Sequence, residues 1–230
     1  MNVLVIDIGG SSAKLWHTSH QEHRKFDSGK DLTPEAMIAK VKGAAEDWSY
    51  EAVALGVPCR VSGGRVVEEP QNLGPGWVGC NLSALFEQPV RIMNDASLQA
   101  LGSYDGGRML FLGLGTGVGS ALIADHLVLS LDLGRLHWGE QRLWEWLGDK
   151  SFEKLGSKKW QKAVHEIVPS LQHVVMADYV VLGGGNAKEV EELPDGVRRG
   201  HNRAVVEGGR RLWEDLPDPA KQTPAEWLIL

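Results

Sequence analysis

Two aspartates and three glycine turns are the residues of this 230-residue chain best suited to chemistry. Asp7 stands near the end of the run "VLVIDI", and after Ile8 come Gly9, Gly10, Ser11 and Ser12, with Lys14 just beyond. A backbone without Cβ atoms can come close to an anion, and serines add N–H and O–H donors. A carboxylate beside them can hold a hydrated magnesium ion. The combination suits a phosphate. The stretches "GLGTGVGS" (113–120) and "LGGGNAK" (182–188) again put glycines after an apolar run. None of the three is a Walker A loop or a dinucleotide GxGxxG fingerprint, and each alone fits an ordinary tight turn.

These residues need elements to position them. Near-continuous apolar runs at 3–8, 52–57, 90–93, 109–114, 119–124 and 178–182 read as strands buried on both faces, as in α/β sheets. Thr33 is the expected N-cap of a helix with Pro34 in its first turn and Met37, Val41, Ala44, Ala45 and Trp48 on one face. Further helices are expected around 158–176 and 202–214. The turn "SYDGGR" (103–108) divides the chain into two halves, each with a glycine turn after a strand. That predicts an N-terminal lobe over 1–106 and a C-terminal lobe over 107–230, the last helix returning to the first lobe. The segment holding Trp138, Trp144 and Trp146 has no clear place.

Composition narrows the function. Apolar residues make up 43% and charged residues 23%, as in ordinary globular proteins. A net charge of −6 argues against a general nucleic-acid binder. Cys59 and Cys80 are the two cysteines, too few for a disulfide framework or a cysteine zinc site. With no signal segment before the first strand and no membrane-length apolar run, a cytoplasmic protein with no membrane partner is expected.

"NLGPGWVG" (72–79) and "VRIMNDASLQALG" (90–102) complete a pattern. Together with Asp7-Ile8-Gly9-Gly10-Ser11, Lys14, Gly115 to Ser120, Gly183 to Gly185 and the terminal "NRAVVEGG", they resemble the ROK family of sugar kinases, its polyphosphate glucokinase branch above all. The resemblance implies a two-lobed, actin-like (ribonuclease-H-like) α/β fold with the ligand cleft between the lobes. It implies transfer of a terminal phosphoryl group from ATP or polyphosphate to a hexose hydroxyl, with Mg2+ as cofactor. By the same resemblance Asp95 is the general base, and Asn72 and Asn94 bind sugar hydroxyls. Asp7 acts through the metal. Gly9, Gly10, Ser11, Ser12, Lys14, Gly115, Thr116 and Gly117 hold phosphates, and Gly183, Gly184 and Gly185 contact adenosine or polyphosphate. The sequence leaves open a monomer or a homodimer.

Plainer readings stand beside these. Asp95 could be the N-cap of a helix starting at Ala96, and Asp7 a turn-stabilising carboxylate. His17, His20 and His23 have no convincing metal spacing. Arg198, Arg199, Arg203, Arg210 and Arg211 read first as a solvated helix face and second as a track for a long polyanion. The pattern also breaks. Where the family carries Glu-x-Gly-His at the sugar, this chain has Asp132-Leu133-Gly134-Arg135, and Cys59 replaces a glycine after Pro58. Asp132 and Arg135, three apart, can pair with each other, or Arg135 can point into the acceptor pocket to bind an acidic group. The alternatives are therefore a kinase for an acidic or amino sugar, or a sugar- or nucleotide-binding protein that has lost turnover.

Overall fold

A computed structural model describes residues 1–201, 203–214, 216–218, 223–225 and 228–229. The chain enters through β1 (Val3–Ile8), returns as β2 (Ser12–His17) and turns again into β3 (His23–Asp27). Helix α1 (Pro34–Ala44) leads to β4 (Ala52–Val57). A small hairpin of β5 (Val61–Ser62) and β6 (Arg65–Val66) and the short α2 (Leu82–Phe86) follow, then β7 (Val90–Asn94). The first sheet has the order β3-β2-β1-β4-β7, with β1, β4 and β7 parallel and β2 and β3 antiparallel.

The parallel strands were legible because every residue of β4, and all but Asp7 of β1, is buried. Strand β3, "HRKFD", was not, because an edge strand alternates exposed and half-buried residues and has no apolar run. Thr33 caps α1 as expected, its hydroxyl accepting from Ala36 N at 3.3 Å.

Helix α3 (Asp95–Ser103) leaves β7 without a loop. The second sheet begins with β8 (Met109–Leu114), β9 (Val118–Ala124) and β10 (Leu127–Leu131). A 3-10 turn at Leu133–Arg135 and a hairpin of β11 (His137–Trp138) and β12 (Gln141–Arg142) come next. Helices α4 (Leu143–Leu147), α5 (Asp149–Leu155) and α6 (Ser157–Val174) follow in close succession, then β13 (Tyr179–Gly183), β14 (Val197–Arg199) and α7 (Ala204–Arg211). Short strands β15 (Leu216–Asp218), β16 (Thr223–Ala225) and β17 (Leu228–Ile229) end the described chain. The second sheet runs β14-β13-β8-β9-β10-β17.

The expected helix over 158–176 is α6. The one expected over 202–214 is shorter, Ala204–Arg211, and Asn202 of the "NRAVVEGG" stretch lies outside the described residues. The unplaced tryptophans belong to the β11–β12 hairpin and α4.

Three apolar clusters hold this together. One packs α1 and the 72–86 region on one face of the first sheet, and one packs α4 and α6 on the second. The third lies between the sheets and joins Val3, Val5 and Ala54 to α3, to Met109, Phe111, Ala121 and Ile123, and to Val205 and Leu212. Helices α3 and α7 cross here with their backbones nearly touching. A Cβ on Gly102 would overlap the Ala204 carbonyl, and one on Gly208 the Leu98 carbonyl. Gly209 lies flat on Val5 of β1. Among the described residues no helix is long and apolar enough to cross a membrane.

Candidate active site

The site grows from the ends of parallel strands, where open α/β sheets place ligands. Val3, Val5 and Asp7 share one face of β1; the first two are buried against α3 and α7, and Asp7 reaches past them. Its neighbour across β4 is Gly56, and across β2 it is Lys14. A Cβ on Gly56 would stand 3.0 Å from Leu98 Cδ2, 3.3 Å from Asp95 Cα and 3.5 Å from Asp7 Oδ1. Gly56 is thus the spacer that lets α3 bring Asp95 up to Asp7. Sequence reading missed it, since a glycine inside an apolar run announces only a close approach, not to what.

Two carboxylates here disturb each other. Both residues keep some surface toward the cleft, yet protein crowds the carboxyls enough for burial to dominate their chemistry. Burial pushes Asp7 up to about 7, repulsion from Asp95 adds to this, and the Lys14 ammonium opposes it. Burial also lifts Asp95, to about 6, against the backbone N–H groups of Ala96 and Asp95 and the Asn94 amide. The pair titrates jointly. One member is therefore close to the working pH, as a general base should be.

The plainer reading of Asp95 is corrected: Asn94, not Asp95, caps α3, its Oδ1 accepting from Ala96 N at 3.0 Å and Ser97 N at 3.3 Å. Asp95 is the first helical residue, its carboxyl resting on the Ala96 and Asp95 N–H groups and the Asn94 amide. Asn94 also donates from Nδ2 to the Cys59 carbonyl at 3.3 Å and its amide supports the Asp95 carboxyl, so it holds Asp95 in place.

The 72–79 loop is held by a residue the sequence did not single out. Glu69 accepts from the backbone N–H groups of Gly76 (3.3 Å), Trp77 (3.1 Å) and Val78 (3.1 Å). Trp77 is buried and donates Nε1 to the Leu32 carbonyl at 3.3 Å. So anchored, the loop carries Asn72 over Gly10, where a Cβ would lie 3.6 Å from Nδ2. The first turn itself closes by Gly9 N to Ser12 O at 2.9 Å and is braced by Ser28 Oγ to Gly9 O at 2.7 Å. Gly10, Ser11 and Lys14 are exposed and Ser12 is half-buried. Cys59 lies against this acidic region; burial first, then Asp95, Glu68 and Glu69, push its thiol up to about 12. It is a neutral thiol there.

The second and third turns are joined. Asp149, at the start of α5, donates its N–H to Gly115 O at 2.8 Å and accepts from Thr116 Oγ1 at 3.3 Å and Asn186 Nδ2 at 2.8 Å. Thr116 and Gly117 are exposed, and Cβ atoms on Gly115 or Gly117 would meet nothing within 4 Å. Gly183 and Gly184 differ: Cβ atoms there would overlap the Phe111 ring and the Leu114 carbonyl, and Gly184 has φ +79°. Gly185 opens the 3-10 turn with open space beside it.

Asp132 and Arg135 pair, Nε to Oδ2 at 2.8 Å. The turn that carries them is tied to the strands by Leu133 N to Ser120 Oγ at 3.0 Å, and β10 meets α3 through Ser130 and Ser97 at 2.7 Å. Arg135 is therefore not a free cation aimed into the pocket; the pair is more than half exposed, where such bridges add little stability. The arginine cluster is corrected too. Arg198 and Arg199 lie on strand β14, not on a helix. Arg199 binds the Ala187, Val190 and Glu191 carbonyls, and Arg210 binds Glu207 and Glu214. A continuous basic track is not formed.

The donor set fits a hydrated divalent cation. No group of three His, Cys, Asp or Glu residues stands ready to cage a metal among the described residues. Asp7, with its raised carboxyl and no hydrogen bond from a described residue, suits an ion that keeps most of its waters and leans on substrate phosphates.

No protein-family model matches the sequence. The chain is 29% identical over 211 residues to a polyphosphate glucokinase of Mycobacterium leprae, an alignment covering 81% of this chain and 64% of that protein. It thus spans under two thirds of that relative's length. The structure of an inorganic polyphosphate/ATP-glucomannokinase from Arthrobacter sp. strain KM superposes with TM-score 0.75 at 21% identity, over 90% of this chain and 96% of the other. A ROK family glucokinase from Streptomyces griseus, solved with glucose and AMPPNP, gives TM-score 0.71 at 17% identity, over 91% and 98%.

Proposed function

We propose that this chain, which has the two-lobed α/β fold of the ROK sugar kinases, phosphorylates a hexose hydroxyl with ATP or polyphosphate. The observation that carries the reading is the Asp7–Asp95 pair across Gly56, beside one turn with exposed backbone, and with Gly119, two residues past the second turn, close against Ala96. Asp95 takes the proton of the attacking hydroxyl. The new bond joins that oxygen to the terminal phosphorus, the bond to the bridging oxygen breaks, and ADP or a polyphosphate shorter by one unit leaves with the electron pair. Gly10 and Ser11, and Thr116 and Gly117, offer N–H groups to the phosphate oxygens, with the Ser11 hydroxyl, while the Gly9 and Gly115 N–H groups close the two turns and Asp149 holds the Thr116 hydroxyl. Lys14 adds a positive charge beside Asp7. Asn72 and the Asp132 turn orient the acceptor, and Asn94 turns from Cys59 or Asp95 to a sugar hydroxyl when one is bound. Magnesium, when bound, would neutralise phosphate charge near Asp7. A cytoplasmic location goes with this reading.

A second reading, a binding protein without turnover, is favoured by the Asp132–Arg135 pair, which occupies two side chains at a sugar-contacting stretch. One experiment separates them: phosphorylation assays with ATP and polyphosphate in parallel across hexoses and their acidic and N-acetyl derivatives. Sugar binding with no transfer from either donor would decide for the second reading.

A further inference from the structure

Away from the cleft lies a cavity of about 550 Å3. Its wall includes Thr18, Ser103, Asp105, Arg198, Arg203 and Arg211. Thr18 follows the end of β2 remote from the first turn, and Ser103 is the last residue of α3, the helix that begins at Asp95. Nine residues at 1.5 Å rise put the two helix ends roughly 12 Å apart. The cavity is therefore not part of the catalytic cleft.

Its charge is unusual for a chain of net charge −6. Four arginines line it, Arg198, Arg203, Arg210 and Arg211, against two carboxylates, Asp105 and Glu207. Asp105 pairs with Arg198 at 2.7 Å, and Glu207 takes Arg210 at 2.5 Å and Arg211 at 3.0 Å. Among the described residues Arg203 has no carboxylate partner; its guanidinium makes one long bond, 3.4 Å, to the His20 carbonyl. Arg210 is also taken by Glu214, which stands outside the wall, so one positive charge is left over in a concave wall, which focuses its field. Arg198 and Arg211 also hold the end of α3, through the Ser103 carbonyl and through the Leu101 (2.9 Å) and Tyr104 (2.6 Å) carbonyls.

We propose that this cavity is a second anion site, taking one phosphate group on Arg203 with Arg198 and Arg211. The excess positive charge favours an anion, and planar guanidinium forks suit phosphate oxygens. The phosphate can be free inorganic phosphate or the end of a short polyphosphate. Its occupancy tightens the last turn of α3, because two of its partners already grip that turn. The site stands whether or not the chain proves to be a kinase.

The test is calorimetric titration of the full chain with inorganic phosphate and with tripolyphosphate at constant ionic strength, read beside amide hydrogen exchange. Wild type should bind, and Arg203→Glu should weaken that binding by about 10-fold or more, since a charge-assisted contact becomes a repulsion. Arg203 is exposed, so the variant should fold, and Arg203→Lys should restore part of the affinity. Thr116→Val, in the donor turn of the cleft, should keep this site. Phosphate should slow exchange in the last turn of α3 in wild type and not in Arg203→Glu. Binding of tripolyphosphate alone identifies a chain end as the ligand; binding of both identifies the phosphate group itself. Equal affinity in Arg203→Glu, or no binding of either anion at millimolar concentration, overturns the proposal.

Discussion

The second and third glycine turns look alike in sequence and are built for opposite ends. At Gly115 and Gly117 a side chain would point into open space, so nothing in the fold requires glycine there. At Gly183 and Gly184 a side chain would strike Phe111 and the Leu114 carbonyl, so the fold requires glycine whatever binds nearby. The first turn is mixed: Gly9 is tight against Ser12 O at 3.2 Å, while Gly10 has only Asn72 above it. A glycine that packing does not need is the better evidence for a ligand.

The largest expected effect sets the scale by removing chemistry without touching a turn. Asp95→Asn should lower kcat by roughly 10²–10⁴-fold while sugar and donor still bind. Normal turnover would reduce Asp95 to a first-turn helical residue and take the catalytic meaning from the open turns as well.

Next comes Gly184→Ala, which meets both a clash and a positive φ. A loss of about 2–4 kcal/mol is expected, a fall in Tm of roughly 5–15 °C. Its counterpart Gly117→Ala should leave Tm within a few degrees and raise the KM for the donor several-fold. Unfolding scans and donor kinetics on both variants check this together. If Gly117→Ala is as unstable as Gly184→Ala, the distinction between the turns fails.

The acidic pair gives a pH signature. Folded carboxyls raised above their unfolded values bind extra protons in the native state, so stability from this pair is present below the unfolded values and is lost as pH rises through about 6 to 7. Asp7→Asn should therefore raise Tm at pH 8 and make little difference below pH 4, while activity falls. Activity of wild type should drop as pH falls through about 6, where Asp95 takes up its proton. A Tm difference that is independent of pH would show that repulsion within the pair does not limit stability.

The smallest effect concerns the acceptor. Asp132→Glu with Arg135→His should raise kcat/KM for glucose several-fold, because it replaces an internal ion pair with groups free to hydrogen-bond a neutral sugar. Efficient glucose use by wild type, or no gain in the double variant, would refute the altered-acceptor idea.

The sequence by itself determined the parallel strands and the ends at which Asp7 and Asp95 sit, because buried strands must be apolar throughout and a carboxylate ending one is conspicuous. It also determined the α1 cap, a local interaction between Thr33 and Ala36. It could not show the edge strand β3, whose few apolar contacts come from elsewhere in the chain, nor Asn94 as the cap in place of Asp95, since adjacent residues compete for the same N–H groups and only backbone geometry chooses. Gly56, Glu69 and Asp149 acquire meaning from partners 39, 7 to 9 and 33 to 37 residues away along the chain. The arginines were the clearest case. Five in a short span read as one basic face, and tertiary packing gave four of them carbonyls and carboxylates to bind, Glu207 shared by two, and left Arg203 with a single long bond among the described residues, because a guanidinium with five N–H donors is directed by whatever acceptors the fold brings near it.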